Sequence, residues 1–315
     1  IMSKDAKISF WGTPALALPA FEVLIEAGYR IVSVVTVPDM PVGREKTLTP
    51  SPVKRLALEN NLNVFTPLHL SDKDFFERFQ ADKPDVAVVA AYGKIIPERY
   101  LTVPERGFIN IHPSLLPQYR GPSPIQTAIM QGDKKTGVTI MLVDREMDHG
   151  AILAQETYQL DSEEYFPEIS EGLAKQSAKL LISVLPRWLS GDIQPQEQEH
   201  ARATFTKMVS RQDGQIDWHQ SAIQIYNKIR ALNPEPGTWT HLNSSIFKIF
   251  KAKPYISQEI APPEPGSISI SRNQFMIKTG EGWLVPEEMQ VEGKRRVSAA
   301  EFIRGYRRLN GIIVS

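Results

Sequence analysis

The chain has 315 residues, 42% of them apolar, and its 36 Lys and Arg balance 36 Asp and Glu. This length exceeds the usual size of one hydrophobic core, so it predicts one large domain with a smaller companion. The absence of cysteine excludes disulfides and thiolate nucleophiles, the six histidines show no compact metal-ligand spacing, and no apolar run approaches the roughly 20 residues that span a bilayer. We therefore predict a cytoplasmic protein that needs no metal and contacts no membrane.

Strand and helix patterns alternate over the first 190 residues. Continuous apolar or β-branched runs predict strands at 7–11, 31–37, 85–90, 107–112 and 138–143. Helical spacing of apolar residues predicts helices at 15–27, 52–60, 72–79, 124–131 and 165–189. This alternation predicts an α/β fold, a Rossmann-like open and mostly parallel sheet with helices on both faces. Ligands of such sheets bind beyond the carboxyl ends of the strands.

The character of the chain changes after residue 190. Residues 191–206 are polar and helix-poor, which is typical of a linker, and a helix is predicted at 221–231. Short alternating segments then predict strands at 247–253, 267–270, 275–278 and 283–285. A capping-box pattern from Ser298 to Glu301 predicts a final helix. We therefore expect a large domain at 1–190, a linker at 191–206 and a small OB-like β-barrel at 207–315.

Charge is segregated along this neutral chain. From Thr204 onward there are 15 basic and 10 acidic residues, against 21 and 26 before it. Segregation of this kind can create a basic face that binds nucleic acid. Charge alone leaves open an ordinary fluctuation between domains.

An amide and an imidazole stand two residues apart at the end of the fourth predicted strand. Asn110 and His112 occupy alternate positions, so both side chains point to one face. Pro113 and Pro117 then turn the chain sharply. An isolated Asn-x-His pair is also typical of a plain turn with a satisfied polar group, so the residues that accompany it decide its interpretation.

An acidic turn follows the next predicted strand. A chain returning past the same sheet edge can bring a carboxylate to His112, where it would hold the imidazole and favour its protonated form. Asp148 is one candidate for this carboxylate, and Asp144 is the other. Asp148 is equally compatible with a plain β-turn.

Several linked motifs support the catalytic interpretation. They are Trp11-Gly12-Thr13-Pro14, Pro50-Ser51-Pro52-Val53-Lys54, Ala91-Tyr92-Gly93-Lys94-Ile95-Ile96-Pro97, Asn110-x-His112-x-Ser114-Leu115-Leu116-Pro117, Tyr119-Arg120-Gly121-Pro122-x-Pro124-Ile125-Gln126 and Asp148-x-Gly150. In these motifs the chain resembles the 10-formyltetrahydrofolate-dependent formyltransferases, and most closely those that act on methionyl-tRNA. The resemblance covers nearly the whole chain.

The resemblance implies transfer of the formyl group of 10-formyltetrahydrofolate to the α-amino group of methionine on initiator tRNA, without a metal. By their positions in the matching motifs, Asn110, His112 and Asp148 are the catalytic residues. The reaction develops an oxyanion, and losing one hydrogen-bond donor to such a charge typically costs roughly 3 kcal/mol. The Asn110 amide and a protonated His112 are suitable donors, and Asp148 can receive the amine proton directly or through water.

Two segments are implied to bind folate. The first matches the family's folate-contacting loop and comprises Ser114, Leu115, Leu116 and Pro117. Its exposed backbone groups would suit a pteridine edge and its leucines the ring faces. The second follows the neighbouring strand and comprises Tyr92, Gly93 and Ile96. Ile96 is an equally good core residue.

Two basic regions are implied to bind tRNA. Residues 38–49 are too long for an ordinary strand-to-helix connection and match the family's loop that enters the acceptor arm. Within this loop the candidate contacts are Arg44 and Lys46, and a solvated surface loop is the alternative. In the C-terminal domain they are Lys248, Lys251, Arg304 and Arg307. Phosphate contacts of this kind give salt-dependent affinity with little sequence information. We expect a monomer whose partners are initiator Met-tRNA and tetrahydrofolate.

Other functions are compatible with some of the same residues. A formyltransferase that acts on glycinamide ribonucleotide uses the same donor, but it would leave the second domain and the 38–49 loop without a purpose. Formyltransferases that act on amino sugars have a similar chemistry and catalytic triad and are an alternative. A nicotinamide-dependent oxidoreductase is disfavoured because no G-x-G-x-x-G follows the first strand. A non-catalytic RNA-binding protein would not need Asn110, His112 and Asp148 together.

Overall fold

A computed structural model of the chain describes residues 5–43, 45–257, 263–271, 274–306 and 308–315. The chain forms two compact units. The first comprises Ile1–Pro124, Lys135–Gln159 and Ser170–Thr206. The second comprises Ile125–Lys134, Leu160–Ile169 and Lys207–Ser315. Within the described ranges, no helix is long and apolar enough to cross a membrane.

The strands and helices predicted in the first 190 residues are present, and the structure adds a hairpin within the 38–49 loop, strands at 64–65 and 152–159 and a short helix at 98–101. The strands are β1 (Lys7–Gly12), β2 (Arg30–Val35), β3 (Met40–Val42), β4 (Thr47–Thr49), β5 (Val64–Phe65), β6 (Val86–Ala90), β7 (Phe108–His112), β8 (Lys135–Leu142) and β9 (Ile152–Gln159). The helices are α1 (Leu18–Glu26), α2 (Pro52–Glu59), α3 (Lys73–Asp82), α4 (Glu98–Leu101), α5 (Pro124–Gln131) and α6 (Phe166–Ser190). The side chains of Ser51 and Asp72 cap the N-termini of α2 and α3, because each accepts a backbone N–H of the first turn.

Seven strands of the first unit form one sheet in the order β5-β2-β1-β6-β7-β8-β9. In this order, each pair of neighbours from β5 through β7 is parallel. β8 pairs antiparallel with β7, and β9 pairs antiparallel with β8. The predicted mostly parallel sheet is therefore confirmed. An aromatic cluster around Trp11 fills one part of the core, with Phe79 and Phe108 edge-on to the indole ring at 5.4 and 5.3 Å. This rigid core fixes the ends of β6 and β7, where the predicted site residues lie.

The second unit is built on an antiparallel sheet. Its strands are β10 (Thr238–Leu242), β11 (Ser245–Tyr255), β12 (Ile268–Ser271), β13 (Gln274–Lys278), β14 (Trp283–Val291) and β15 (Val297–Ser298), and its own helices are α7 (Ala222–Leu232) and α8 (Ala299–Gly305). The order is β10-β11-β14-β13-β12, and β15 pairs with β14. The last residues join the two ends of this order, because Ser315 exchanges backbone hydrogen bonds with His241 while Ile313 bridges to Ser267. The sheet thereby closes in the manner of the predicted small barrel.

The segment predicted as a linker is not free along its whole length. Gln196 exchanges two backbone hydrogen bonds with Ile152, at 2.7 and 2.9 Å. Thr204 and Thr206 bond to the turn after β7, through Arg120 among others. Residues 196–206 therefore bond to the first unit at both ends, with a 3-10 turn at His200–Arg202 between them. Their polar composition gave no apolar periodicity from which this packing could be predicted.

Candidate active site

Asn110 and His112 lie at the carboxyl end of β7, an interior strand between β6 and β8. The pleat places both side chains on one face, as their spacing predicts. The His112 side chain is 5% exposed and that of its neighbour Asp148 is 15% exposed. Polar groups this deeply placed need partners, and each of the three has them.

Two hydrogen-bond donors and the His112 ring converge on the Asp148 carboxylate. The backbone N–H of Gly121 donates to Oδ2 over 2.7 Å, and the Asn110 amide donates to Oδ1 over 3.3 Å. His112 Nδ1 lies 3.6 Å from Oδ2, within ion-pair distance. These contacts stabilise the negative charge and fix the carboxylate in place.

The second ring nitrogen of His112 faces a backbone carbonyl. Nε2 lies 2.9 Å from the oxygen of Tyr119, so it must carry a hydrogen to bond there. Nδ1 then faces Asp148.

Backbone conformation explains two glycines of the motifs. Gly121 has φ +107°, and a Cβ there would lie 2.8 Å from the Thr206 carbonyl oxygen. A Cβ at Gly150 would lie 2.0 Å from the Leu142 oxygen, so only glycine lets the acidic turn return so closely onto β8. Asp148 has a φ of 50° and Tyr119 a φ of 60°, the left-handed region that costs a non-glycine residue about 1 kcal/mol or more.

Asp144, the competing candidate, has a different partner. Its Oδ2 lies 2.7 Å from Nδ1 of His149, at the surface side of the same turn. Asp148 is therefore the carboxylate that pairs with His112.

The loop Ser114 to Pro117 differs from the expectation of exposed backbone groups. The Leu116 N–H donates to Thr139 Oγ1 over 3.2 Å, and its carbonyl accepts from Gln155 over 2.8 Å. Ser114 is fully buried and its hydroxyl donates to the Gln118 carbonyl. Leu115 and Pro117 are half-buried. The expectation is wrong for Leu116 because polar side chains of β8 and β9 occupy its backbone groups.

The second predicted folate segment follows β6, whose end adjoins that of β7. Tyr92 is 2% exposed and its ring packs edge-on against Trp11 at 5.1 Å, so it belongs to the aromatic core. Burial raises the pKa of Tyr92. Gly93 is exposed at φ +84° with open space where a side chain would stand. Ile96 is half-buried against the aromatic cluster. Of the three predicted residues, Gly93 and Ile96 therefore present surface and Tyr92 does not.

The basic residues lie on separate elements. Lys46 is in the turn of the β3–β4 hairpin, with φ 50°. Lys248 and Lys251 lie on β11, and Arg304 is exposed in the last turn of α8. Arg44 and Arg307 fall outside the described residues.

Part of this charge is neutralised locally. Lys251 lies 3.6 Å from Glu288, and Lys253 lies 3.4 Å from Glu287. Both lysines line a groove of about 820 Å³ in the second unit, together with Arg296. Among the described residues, no group of three or more His, Asp or Glu could hold a metal ion.

The structure adds groups that the sequence did not single out. The Tyr119 carbonyl and the Gly121 N–H hold His112 and Asp148, and backbone groups leave no mark in side-chain patterns. Gln198, buried beside Asp148, lies in a polar stretch rich in glutamine and glutamate. Nothing in that stretch distinguishes it from its exposed neighbours.

Comparisons with known proteins agree over nearly the whole chain. Residues 13–185 match the formyl transferase family model, and residues 208–307 match the model of the formyl transferase C-terminal domain. A methionyl-tRNA formyltransferase of Chloroflexus aurantiacus is 42% identical over 302 residues, which cover 95% of this chain and 96% of that protein. The methionyl-tRNA formyltransferase of Bacillus mycoides is 40% identical over 301 residues, 95% of each chain.

Solved structures with low identity share the fold. WlaRD, a sugar 3N-formyl transferase crystallised in the presence of dTDP and 5-N-formyl-THF, superposes with a TM-score of 0.66 at 19% identity over 92% of this chain and 99% of that one. HypX from Aquifex aeolicus in complex with tetrahydrofolic acid superposes with a TM-score of 0.65 at 17% identity, over 98% of this chain and 48% of that one.

Proposed function

The chain belongs to the formyl transferase family, and we propose that it transfers the formyl group of 10-formyltetrahydrofolate to the α-amino group of methionine on initiator tRNA. The observation that carries the proposal is the convergence of Asn110, His112 and Asp148 in a chain about 40% identical to proteins named for this activity. The product would be formyl-Met-tRNA for translation initiation.

The donors of the site fit the charge that develops on the formyl oxygen. The contacts of Asn110 and His112 with Asp148 are long, at 3.3 and 3.6 Å, whereas the Gly121 contact is 2.7 Å. During the reaction we expect Asn110 and His112 to leave Asp148 and donate to the oxyanion. The shorter bond from the Gly121 N–H would keep the carboxylate in place. Donors already aimed at one point need little reorganisation, which makes such stabilisation effective.

Asp148 would act on the attacking amine. As the amine nitrogen forms its bond to the formyl carbon, the carboxylate takes the amine proton, directly or through one water. The bond from the formyl carbon to N10 then breaks, and N10 takes the proton back from the Asp148 carboxyl, directly or through the same water, which restores the carboxylate. No covalent intermediate with the protein is required.

The formyl donor is a substrate rather than a resident cofactor, and we propose that the ends of β6 and β7 bind it. Gly93 offers open space and Ile96 an apolar surface, which fit the edge and face of a pteridine ring. Leu115 and Pro117, half-buried in the turn after β7, are the further candidates. Ser114, Leu116 and Tyr92 would support this pocket from below, because they are buried.

For the tRNA, we propose contacts in both halves of the chain. Residues 1–190 would catalyse, with Arg44 and Lys46 of the 38–49 loop entering the acceptor arm. Residues 207–315 would bind the tRNA backbone through Lys248, Lys251, Arg304 and Arg307, joined through 191–206. All three catalytic groups come from one chain, which supports a monomer. Its substrate supports a location in the cytoplasm, where tRNA is charged.

A product assay tests the proposal. The protein is incubated with 10-formyltetrahydrofolate and Met-tRNA, and the amino acid released from the tRNA is identified by mass spectrometry. Formylmethionine is expected, and uncharged tRNA or a dTDP-amino sugar should yield no formylated product. If only the amino sugar is formylated, the acceptor is an amino sugar and not Met-tRNA. If the protein binds tRNA tightly but formylates nothing, it is a tRNA-binding protein without this activity.

Arg44→Ala tests the tRNA loop in the same assay. We expect a raised KM for Met-tRNA and an unchanged KM for the folate. Unchanged kinetics with both substrates would remove the loop from the tRNA site.

A further inference from the structure

The buried side chain of Gln198 forms hydrogen bonds through both its amide nitrogen and its amide oxygen. It is 5% exposed, and its Nε2 donates to the carbonyl oxygens of Asp148 and Gly150 over 2.9 and 2.8 Å. Its Oε1 accepts from the Arg120 guanidinium, over 3.2 Å from Nε and 2.7 Å from Nη2. The amide therefore joins two turns that are far apart in sequence.

Arg120 is the second buried member of this arrangement, at 3% exposed. It lies between Tyr119, whose carbonyl faces His112, and Gly121, whose N–H binds Asp148. Its Nη2 also lies 2.8 Å from Nδ1 of His200.

The two turns that Gln198 joins both carry backbone strain. Tyr119 and Asp148 adopt left-handed conformations that non-glycine residues avoid. Such residues persist only where the surroundings over-determine them, and strain of this kind is common at functional sites. A fully satisfied, buried hydrogen-bond network is a rigid support because each broken contact would leave a buried polar group without a partner.

We propose that Gln198 and Arg120 form a positioning clamp that holds the Tyr119–Gly121 turn and the Asp148–Gly150 turn in the geometry needed for formyl transfer. Gln198 bonds to the backbone carbonyls of Asp148 and Gly150, and Arg120 bonds to Gln198 and His200, so we infer that both act through the backbone of those turns. The inference rests on the proposed function and adds residues 196–206 to the supports of the site.

Gln198→Glu is the sharpest variant. The introduced carboxylate still accepts a hydrogen bond from Arg120. It replaces the amide N–H donor with an oxygen, which repels the Asp148 and Gly150 carbonyl oxygens. Gln196→Glu is the matched control, because Gln196 lies on the same segment with an exposed side chain and pairs only through its backbone with Ile152. We expect Gln198→Glu to lower kcat by about tenfold or more, as small misplacements of reacting groups do, with KM for Met-tRNA little changed. Gln196→Glu should match the wild type.

A double variant separates positioning from a general structural defect. If Gln198 acts through Asp148, adding Gln198→Glu to Asp148→Asn should lower kcat little further. If the fold loss in kcat of the double variant equals the product of the losses of the two single variants, the clamp is overturned. An unchanged kcat in a folded Gln198→Glu protein would overturn it as well. Should Gln198→Glu not fold, Gln198→Met keeps the side-chain volume and is judged by the same two criteria.

Hydrogen–deuterium exchange tests the clamp without activity. The peptide containing Gly121 should exchange about tenfold faster in Gln198→Glu than in Gln196→Glu, since its N–H bonds to Asp148. Equal exchange would overturn the proposal. A wild type that does not formylate Met-tRNA would refute the proposed function alone, because the exchange result stands independently of the substrate.

Discussion

The backbone N–H of Gly121 donates to the Asp148 carboxylate over 2.7 Å, and this is the shortest contact that the carboxylate makes among the described residues. It ties the turn after β7 to the acidic turn after β8. The two side-chain contacts of Asp148, from Asn110 and His112, are longer. A charge held by the backbone leaves side chains free to change partners, which suits a site where a second negative charge develops during the reaction.

The two carboxylates of the acidic turn should differ in importance. Asp148→Asn removes the carboxylate on which the Gly121 N–H, the Asn110 amide and the His112 ring converge, and we expect kcat to fall roughly a hundredfold or more with a modest change in KM. Asp144→Asn makes the same substitution where the carboxylate pairs with His149, and activity should stay near normal. Steady-state kinetics of the two variants check this, and the reverse order would transfer the role to Asp144.

Gly150 should tolerate no side chain. An added Cβ would lie 2.0 Å from the Leu142 oxygen, so Gly150→Ala must displace the acidic turn. We expect a loss of roughly 1–3 kcal/mol in the free energy of unfolding, typical of overpacking, together with lost activity. Gly305→Ala is the control, because nothing lies within 4 Å of its Cβ position. Urea unfolding of both variants measures the difference, and equal stabilities would contradict the steric account.

The affinity for tRNA should depend on salt through individual basic residues. Lys248→Ala and Arg304→Ala should each reduce the slope of log Kd against log salt concentration by about one. Lys175 pairs with Glu171 on α6, and Lys175→Ala should leave the slope unchanged. Filter binding over a series of salt concentrations provides the slopes. Identical slopes in all four proteins would exclude Lys248 and Arg304 as phosphate contacts.

Asp213 should contribute stability that disappears in acid. Hydrogen bonds from Lys207 and from Ser210 hold the pKa of its carboxyl well below the ordinary value. A folded pKa below the unfolded one stabilises the fold above about pH 4, and the contribution is lost as pH falls below that value. Asp213→Asn should therefore lower the unfolding temperature at pH 7, and the difference should shrink in acid. A difference that grows as pH falls would reverse the sign of this linkage.

Much of the fold could be predicted because its elements leave local signatures. The fully buried strand β6 reads as a continuous apolar run, and α5 begins and ends at the predicted residues Pro124 and Gln131. The direction of β8 could not be predicted, because a buried strand has the same pattern whether it runs parallel or antiparallel.

The candidate site, too, could be predicted only in part. Asn110 and His112 share a face by strand geometry alone, whereas the choice between Asp148 and Asp144 needed coordinates. Gln198 reaches the Asp148 carbonyl from 50 residues away, and no local pattern marks such a contact. The Leu116 backbone was expected to be exposed for a pteridine edge, but Thr139 and Gln155 bond to it, and no local pattern marks side chains that reach it from two other strands.

We propose that the pair of His112 and Asp148 drives formyl transfer to Met-tRNA. The single-turnover rate of formylation at saturating Met-tRNA and 10-formyltetrahydrofolate tests this for the wild type, His112→Ala and the control His69→Ala, whose side chain is exposed. We expect rapid formylation by the wild type and by His69→Ala, and a rate lower by roughly a hundredfold or more for folded His112→Ala. No formyl-Met-tRNA from the wild type, or equal rates for all three proteins, would contradict this role of His112.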